Sequence, residues 1–239
     1  TAPDIKTPEQ CQEVSKKLGM LLRSLPGVKR GLGTIRQDVN VSIKGGSRIE
    51  VKGFQDLRMI PKLVELEVKR QMELLNIKKE LSGKKLNSFE IYDLTKLLLK
   101  SKSKVIVSAF KNKGKVMALR LEGFKGIIGR ELQPNYRVGS EFSGRAKIKA
   151  GVRGIFHSDE LPNYGITEEE VSLIKKELKC SDKDAFVLVA AIENKAKVAL
   201  AAVYERAEEL FTWVPKEVRK DSPDGTTTFL RPMPGAARM

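Results

Sequence analysis

Residues 36–54, RQDVNVSIKGGSRIEVKGF, decide the fold of the first part of the chain. Two runs of alternating apolar and polar residues flank a pair of glycines, which is typical of a β-hairpin. The apolar residues of both runs share one face if Ile43 lies opposite Ile49 and Val41 opposite Val51, around a three-residue loop. A two-residue loop would mix the faces, so the sequence predicts the three-residue form.

The other face of this predicted hairpin is polar. Carboxylates, an amide and cations on one rigid sheet face have the chemistry to hold a metal ion and a polyphosphate. The spacing alone favours a simpler interpretation, the solvated face of an amphipathic hairpin. In the predicted register Ser42 lies opposite Glu50 and Asn40 opposite Lys52. The whole polar set is Arg36, Asp38, Asn40, Ser42, Lys44, Arg48, Glu50 and Lys52.

The charge of the chain favours a polyanionic partner. Its 239 residues carry a formal net charge of +15 at pH 7, and basic side chains gain affinity by releasing counterions from phosphate. Only 6% of the residues are aromatic, so phosphate contacts to a folded RNA fit better than base stacking on a single strand. The alternative is a lysine-rich proteome, for instance that of a thermophile, in which these charges are solvated surface.

Several other classes of protein are disfavoured. The sequence has no apolar run long enough to span a membrane. Cys11 and Cys180 form neither a disulfide framework nor a metal-ligand pair, which predicts a reducing cytoplasm and an apolar filling role for both. Walker, nucleophile-elbow and zinc-protease motifs are missing. His157, the only histidine, is predicted to be a turn residue rather than a general base.

Helix and strand signals alternate along the chain. Capping boxes open helices at Thr7 and Thr167, and Pro61 opens another. Residues 95–100 are predicted to be an apolar helix, and residues 105–107 a strand that a turn joins to the next strand. The first helix carries an apolar stripe predicted to face a core, formed by Val14, Leu18, Leu21, Leu22 and Leu25.

Long motifs along the chain resemble one family. The patterns R-x-D-x-N-x-S at residues 36–42 and R-x-E-x-K at residues 48–52 resemble the cradle domain of the tRNA-dependent amidotransferases, which is found in the GatB proteins of bacteria and the GatE proteins of archaea. TAPD at residues 1–4, KRGLGTIR at 29–36 and FLRPMPGAARM at 229–239 are closer to the archaeal GatE proteins, which belong to glutamyl-tRNA(Gln) amidotransferases. Members of the family are about twice as long or more, so the chain is expected to be an internal fragment that is inactive alone.

The resemblance implies a function for the polar hairpin face. Cradle domains of this family bind ATP and Mg²⁺, convert the γ-carboxylate of Glu-tRNA(Gln) to an acyl phosphate, and let ammonia from an asparaginase-like partner subunit displace the phosphate. Carried over to this sequence, the catalytic residues are Asp38, Asn40, Glu50 and Lys52, the ATP-binding residues Arg36, Ser42 and Lys52, the metal ligands Asp38 and Glu50, and the tRNA-binding residues Arg231 and Arg238.

One departure from the family concerns the metal. The bacterial GatB proteins have a Glu-Glu-Gly segment where this chain reads Gly31-Leu32-Gly33, so acidic ligands expected there are absent. The metal shell must therefore differ from that of the GatB proteins, or be completed by residues outside these 239.

The middle of the chain resembles a different domain. GFKG at residues 123–126, SDELP at 158–162 and the block 188–200 resemble the insertion domain of bacterial-type aspartyl-tRNA synthetases. We therefore predict an α+β protein with a mixed or antiparallel-sheet cradle domain, residues 1–104 and 215–239, interrupted by an α+β insertion domain, residues 105–214. The alternative functions are a non-catalytic tRNA-binding module of a synthetase-related protein, and a scaffold whose hairpin face contacts a partner protein.

Overall fold

The computed structural model of the chain describes residues 4–31, 33–54 and 56–234. The structure contains both helices and strands, which confirms the predicted α+β class. No helix in these ranges is both long and apolar enough to cross a bilayer. The helices are α1 Pro8–Ser24, α2 Ile60–Leu81, α3 Lys104–Lys111, α4 Val138–Ala150, α5 Glu168–Glu177 and α6 Glu193–Thr212, with a 3₁₀ turn at Leu57–Met59. The strands are β1 Gln37–Val41, β2 Ile49–Phe54, β3 Ile91–Asp93, β4 Lys115–Leu121, β5 Glu131–Gln133, β6 Tyr136–Arg137, β7 Phe156–His157, β8 Ala185–Ala191, β9 Glu217–Asp221 and β10 Thr227–Pro232.

The described chain divides into two compact units. The first comprises residues up to 75 together with 132–134 and those from 213 onward, and the second comprises residues 76–131 and 135–212. Each unit has its own four-stranded sheet. The division of the sequence into cradle and insertion domains stays a prediction.

The first unit is built on a mixed sheet with the strand order β1-β2-β9-β10. The pairs β1–β2 and β9–β10 are antiparallel, whereas β2 and β9 run parallel. One face of the hairpin packs on α2, and Cys11 of α1 packs at the edge of the same core, as expected of a small apolar filler. This core is formed by Val39, Val41, Ile49, Val51, Ile60 and Leu63.

The hairpin register differs from the predicted one by two residues. Val41 pairs with Ile49 and Val39 with Val51, and Asn40 therefore lies opposite Glu50. A shift of two residues leaves every side chain on its predicted face, so the alternation could not distinguish the two registers. The predicted faces hold, but the predicted pairing and the three-residue loop were wrong.

Contacts with α2 fix the longer loop that replaces the predicted one. Gly46 lies so close to the Gln71 side chain that a Cβ at this position would overlap its Oε1. The Ser47 amide donates to the same Oε1 at 3.1 Å, and the Gln71 Nε2 donates to the carbonyl of Val41 at 3.4 Å. The hairpin is thus tied to a helix that follows it in sequence.

The second unit is built on an antiparallel sheet with the order β3-β4-β8-β7. Both faces of this sheet are buried, because Val116 and Ala118 alternate with Met117 and Leu119 and all four are buried. Helix α6 packs against β4, β8 and α4, and α3 packs against β4 and β8. Burial raises the pKa of the Cys180 thiol to about 11, and this side chain packs on the core as predicted.

Two predictions for the second unit were wrong. Residues 105–107 belong to α3 and not to a strand. Three consecutive β-branched residues favour a strand, but only Ile106 is fully buried, as helical periodicity requires. Residues 95–100 form turns instead of a helix, although Leu94 and Leu98 are buried as an apolar helix would have buried them.

The capping boxes predicted the helix starts correctly, whereas the prediction that the apolar stripe of α1 faces a core was wrong. Both capping boxes form: the hydroxyls of Thr7 and Thr167 accept from the backbone three residues on, each at 3.2 Å. His157 lies in β7, buried, and not in a turn. The apolar stripe predicted to face a core is largely exposed in the last turns of α1, at Leu18, Leu21, Leu22 and Leu25.

A buried network of charges lies between α2 and the strands β9 and β10. The guanidinium of Arg70 donates to both carboxylate oxygens of Glu67 at 2.9 Å. Arg219 donates to Glu217, and also to the hydroxyl and the carbonyl of Thr227, both at 2.7 Å. Arg70 and Glu217 are 3.4 Å apart, which links the two halves. Because two arginines face two glutamates and all are at most 1% exposed, the charges balance inside the core.

We expect Arg219→Met to destabilise the first unit by about 3–5 kcal/mol, because it leaves the buried carboxylates of Glu67 and Glu217 with the single cation of Arg70. Denaturant unfolding at neutral pH measures this loss. The matched control is Lys220→Met, which removes the neighbouring, exposed cation of the same strand and should change stability by no more than about 0.5 kcal/mol. Equal effects of the two variants would contradict the assignment.

We also expect a segment of residues 76–212 to fold more stably than a segment of residues 105–214. The shorter segment lacks β3, which pairs with β4, and the buried core residues Leu94 and Leu98. Loss of buried leucines costs about 2–5 kcal/mol each when only the side chain is removed. Thermal unfolding of both segments tests this, and equal midpoints would show that β3 adds nothing.

Candidate functional site

Three residues of the predicted site are held together on the solvent face of the hairpin. The ammonium of Lys52 lies 2.7 Å from Asp38 Oδ2 and 2.6 Å from Glu50 Oε1. The side chains remain accessible, with exposed fractions of 34% for Lys52, 42% for Asp38 and 22% for Glu50. Asn40 is exposed on the same face, opposite Glu50. The structure therefore brings together all four of the residues predicted to be catalytic.

A glycine bulge in β2 supports this arrangement. The β1–β2 register shifts between Gln37 and Val39, so β2 has one residue more than β1 over this stretch. Gly53 lies there with φ +92°, a conformation that other residues rarely adopt. A Cβ on Gly53 would also come within 3.0 Å of Asp221 Oδ1. The bulge begins directly after Lys52, and bulges of this kind re-aim the adjacent side chain.

Strands β9 and β10 extend the same face with residues from the far end of the sequence. Lys220 pairs with Lys52 across the parallel β2–β9 ladder, and Thr228 pairs with Lys220 across β9–β10. Partners in a ladder share a face, so these exposed side chains continue the row. Val218 of β9 pairs with Glu50 of β2 on one side and with Arg231 of β10 on the other. Val218 is fully buried.

A second bulge decides where Arg231 lies. The β9–β10 register shifts between Phe229 and Arg231, so Arg231 pairs with Val218. Without the extra residue, strand alternation would place Arg231 on the buried face with Phe229. We call this surface the polar sheet face, and it consists of Asp38, Asn40, Glu50, Lys52, Lys220, Thr228 and Arg231.

The remaining predicted site residues lie outside the sheet. Arg36 is exposed directly before β1, and Ser42 is exposed in the loop that follows β1. Arg238 lies outside the described residues, as does Leu32 of the glycine segment. Lys220 and Thr228 were missed in the sequence, because nothing in an exposed lysine or threonine predicts that β9 pairs with β2.

The electrostatics make Lys52 a fixed cation. Hydrogen bonds to Asp38 and then to Glu50 raise the pKa of the Lys52 ammonium above its ordinary value. Lysine is already protonated at neutral pH, so this shift removes Lys52 from consideration as a general base. Its role is therefore to hold the two carboxylates at fixed positions and to present positive charge beside them.

The donor set fits a magnesium ion bound together with phosphates rather than a dedicated metal cage. Among the described residues there is no group of three or more His, Cys, Asp or Glu side chains that could hold a metal. Mg²⁺ commonly takes one or two protein carboxylates and fills its other positions with water and phosphate oxygens. Asp38 and Glu50 each contact Lys52 through a carboxylate oxygen, and a carboxylate has further lone pairs to offer.

A cavity of about 770 Å³ lies elsewhere in the first unit. It runs along α1, past Lys16 and Arg23, and reaches Gln37 and Arg58. Because α1 packs on the buried side of the hairpin, this cavity lies on the side of the sheet opposite to the polar sheet face. None of the residues of the polar sheet face lines this cavity.

Comparison with known proteins identifies the family. Residues 1–236 match the family model described as the GatB/GatE catalytic domain. The E subunits of glutamyl-tRNA(Gln) amidotransferase from Methanococcus vannielii, Methanocaldococcus jannaschii and Pyrococcus horikoshii are 54% identical to this chain, over 240, 241 and 243 residues respectively. Each alignment covers 100% of this chain and 38% of the relative, so the chain spans well under half the length of these curated relatives. With nearly its whole length matched, the chain belongs to the GatB/GatE catalytic domain family.

Proposed function

We propose that this chain forms the ATP-dependent catalytic part of a glutamyl-tRNA(Gln) amidotransferase. In this reaction the γ-carboxylate of Glu-tRNA(Gln) attacks the γ-phosphate of ATP, and ADP leaves. Ammonia then attacks the resulting acyl phosphate, inorganic phosphate leaves, and a proton is lost, which yields Gln-tRNA(Gln). The ammonia comes from an asparaginase-like partner subunit, and the enzyme works in the cytoplasm.

The observation that carries the proposal is the placement of the polar sheet face in a member of this family. Asp38 and Glu50 contact Lys52 on one accessible face of the hairpin, and Asn40 lies on the same face opposite Glu50. The names of the relatives support the tRNA-dependent amidotransferase activity. The net charge of +15 supports a tRNA partner.

The residues divide the work according to their chemistry. Asp38 and Glu50 would hold Mg²⁺, directly or through water, and the ion would neutralise the charge of the phosphates. Lys52 and Arg36 would bind phosphate oxygens, with Ser42 donating a hydrogen bond from its hydroxyl. Asn40, opposite Glu50, would orient the carboxylate that is activated or the amide that forms.

In the full-length enzyme with its partner subunit, we expect Asp38→Asn and Glu50→Gln each to slow ATP-dependent amidation of Glu-tRNA(Gln) by at least about tenfold. Each change removes the negative charge of one proposed metal ligand and weakens its ion pair with Lys52. Steady-state kinetics with ammonium as the amide donor measures the step without the partner's contribution.

The control is Glu65→Gln, which removes an exposed carboxylate from α2. Its turnover should equal that of the parent, and thermal unfolding should show that all three variants fold. Near-normal turnover of both Asp38→Asn and Glu50→Gln would show that the polar sheet face is a solvated surface without a catalytic role. It would favour a non-catalytic tRNA-binding module.

We expect tRNA binding by the full-length protein to depend steeply on salt, since phosphate contacts dominate where aromatic residues are few. Arg231→Ala and Arg238→Ala should each weaken binding and reduce the slope of log affinity against log salt by roughly 0.7–0.9 per lost contact. Lys79→Ala, an exposed lysine of α2, serves as control and should leave the slope nearly unchanged. An affinity that does not respond to salt would contradict the phosphate-contact interpretation.

A further inference from the structure

Lys220 is an exposed cation of the polar sheet face that no carboxylate of the described chain contacts. It pairs directly with Lys52 across the β2–β9 ladder, at a strand spacing of about 4.8 Å. Lys52 forms ion pairs with both Asp38 and Glu50, whereas Lys220 takes part in no ion pair within the described part of the chain.

The neighbours of Lys220 on the polar sheet face complete a site for phosphate. Thr228 lies beside it on β10 and has a hydroxyl that can donate to a phosphate oxygen. On the other side lies Lys52, its partner in the β2–β9 ladder. We propose that Lys220, together with Thr228, binds the phosphate groups of the nucleotide during activation of the glutamyl carboxylate. This inference rests on the ATP-dependent function proposed above.

The charges across the sheet have the polarity that a magnesium nucleotide needs. The carboxylates Asp38 and Glu50 lie on β1 and β2, and the cations Lys220 and Arg231, neither of which forms an ion pair among the described residues, lie on β9 and β10. Lys52 separates the two groups. If Asp38 and Glu50 held the metal, Lys52 and Lys220 would be the cations available for the phosphates of the same nucleotide, so one ligand would use both halves of the face.

The backbone that carries Lys220 is held rigidly. The preceding residue, Arg219, points to the opposite side of the sheet, where it is fully buried and bonded to Glu217 and Thr227. Thr227 in turn accepts a hydrogen bond at its hydroxyl from Gln133 and donates its amide to the same side chain at 2.8 Å. The ladder partners of Lys220 on β2 and β10, and the buried contacts of its neighbour Arg219, fix the position of the Lys220 backbone. Phosphate binding requires such a fixed position.

The test uses the full-length protein with its partner and compares Lys220→Ala with Lys220→Arg and Thr228→Val. We expect Lys220→Ala to raise the KM for ATP, and the Kd for a non-hydrolysable Mg-ATP analogue measured by calorimetry, by about tenfold or more. Lys220→Arg should restore most of the affinity because it keeps the charge. Thr228→Val should have a smaller effect of the same kind. Affinity for Glu-tRNA(Gln) should stay within about twofold of the parent.

Lys216→Ala is the matched control, because Lys216 is an exposed lysine directly before the same strand. Unchanged KM and Kd for the nucleotide in Lys220→Ala would overturn the inference, while inactive Asp38→Asn and Glu50→Gln variants would leave the proposed function standing. Weakened tRNA binding with unchanged nucleotide binding would also overturn it, since Lys220 would then contact RNA phosphate. Normal turnover in Asp38→Asn and Glu50→Gln would overturn the proposed function, and the inference with it.

Discussion

The buried ion network of Glu67, Arg70, Glu217 and Arg219 is the constraint on which the polar sheet face depends. The face is assembled from a hairpin near the start of the chain and a strand pair near its end, and the parallel ladder that joins them is short. Arg219 occupies the middle of that ladder, opposite Val51, with its guanidinium on the buried side. The network therefore joins β9 to α2 at the same place where β9 joins the hairpin.

Charged groups suit this role better than apolar ones because they penalise a wrong register. A shift of β9 by one residue would turn both Arg219 and Glu217 to solvent and bury Lys220 in their place. An unpaired ammonium would then lie beside Glu67 and Arg70, and burying an unpaired charge is costly. An apolar pair in the same positions would tolerate the shift at a lower cost. We therefore interpret the network as fixing which residues of β9 reach the polar sheet face, since a buried ion pair by itself is weak evidence of stability.

Local signals in the sequence predicted local structure, and the site depends on contacts that are not local. The capping boxes at Thr7 and Thr167 and the two faces of the hairpin follow from spacing alone, and the structure has them. The hairpin pairing did not follow, because α2 holds the loop through Gln71, some two dozen residues further on. Glu67 and Arg70 are charged residues of the kind typical of a solvated helix surface. They are buried because β9 packs against α2, which the sequence of the helix does not show.

The exposed stripe of α1 shows the same limit from the opposite side. Helical periodicity specifies that Leu18, Leu21 and Leu22 share a face, but it does not specify what covers that face. For the polar sheet face, alternation identified which residues are polar. It could not show whether they form a solvated surface or a binding site. Our proposal of a binding site draws on how the charges are distributed over the face. Lys52 has two carboxylates, whereas Lys220 beside it has none in the described chain, so the face has an acidic side and a basic side. A ligand that brings both a cation and phosphates would contact both sides.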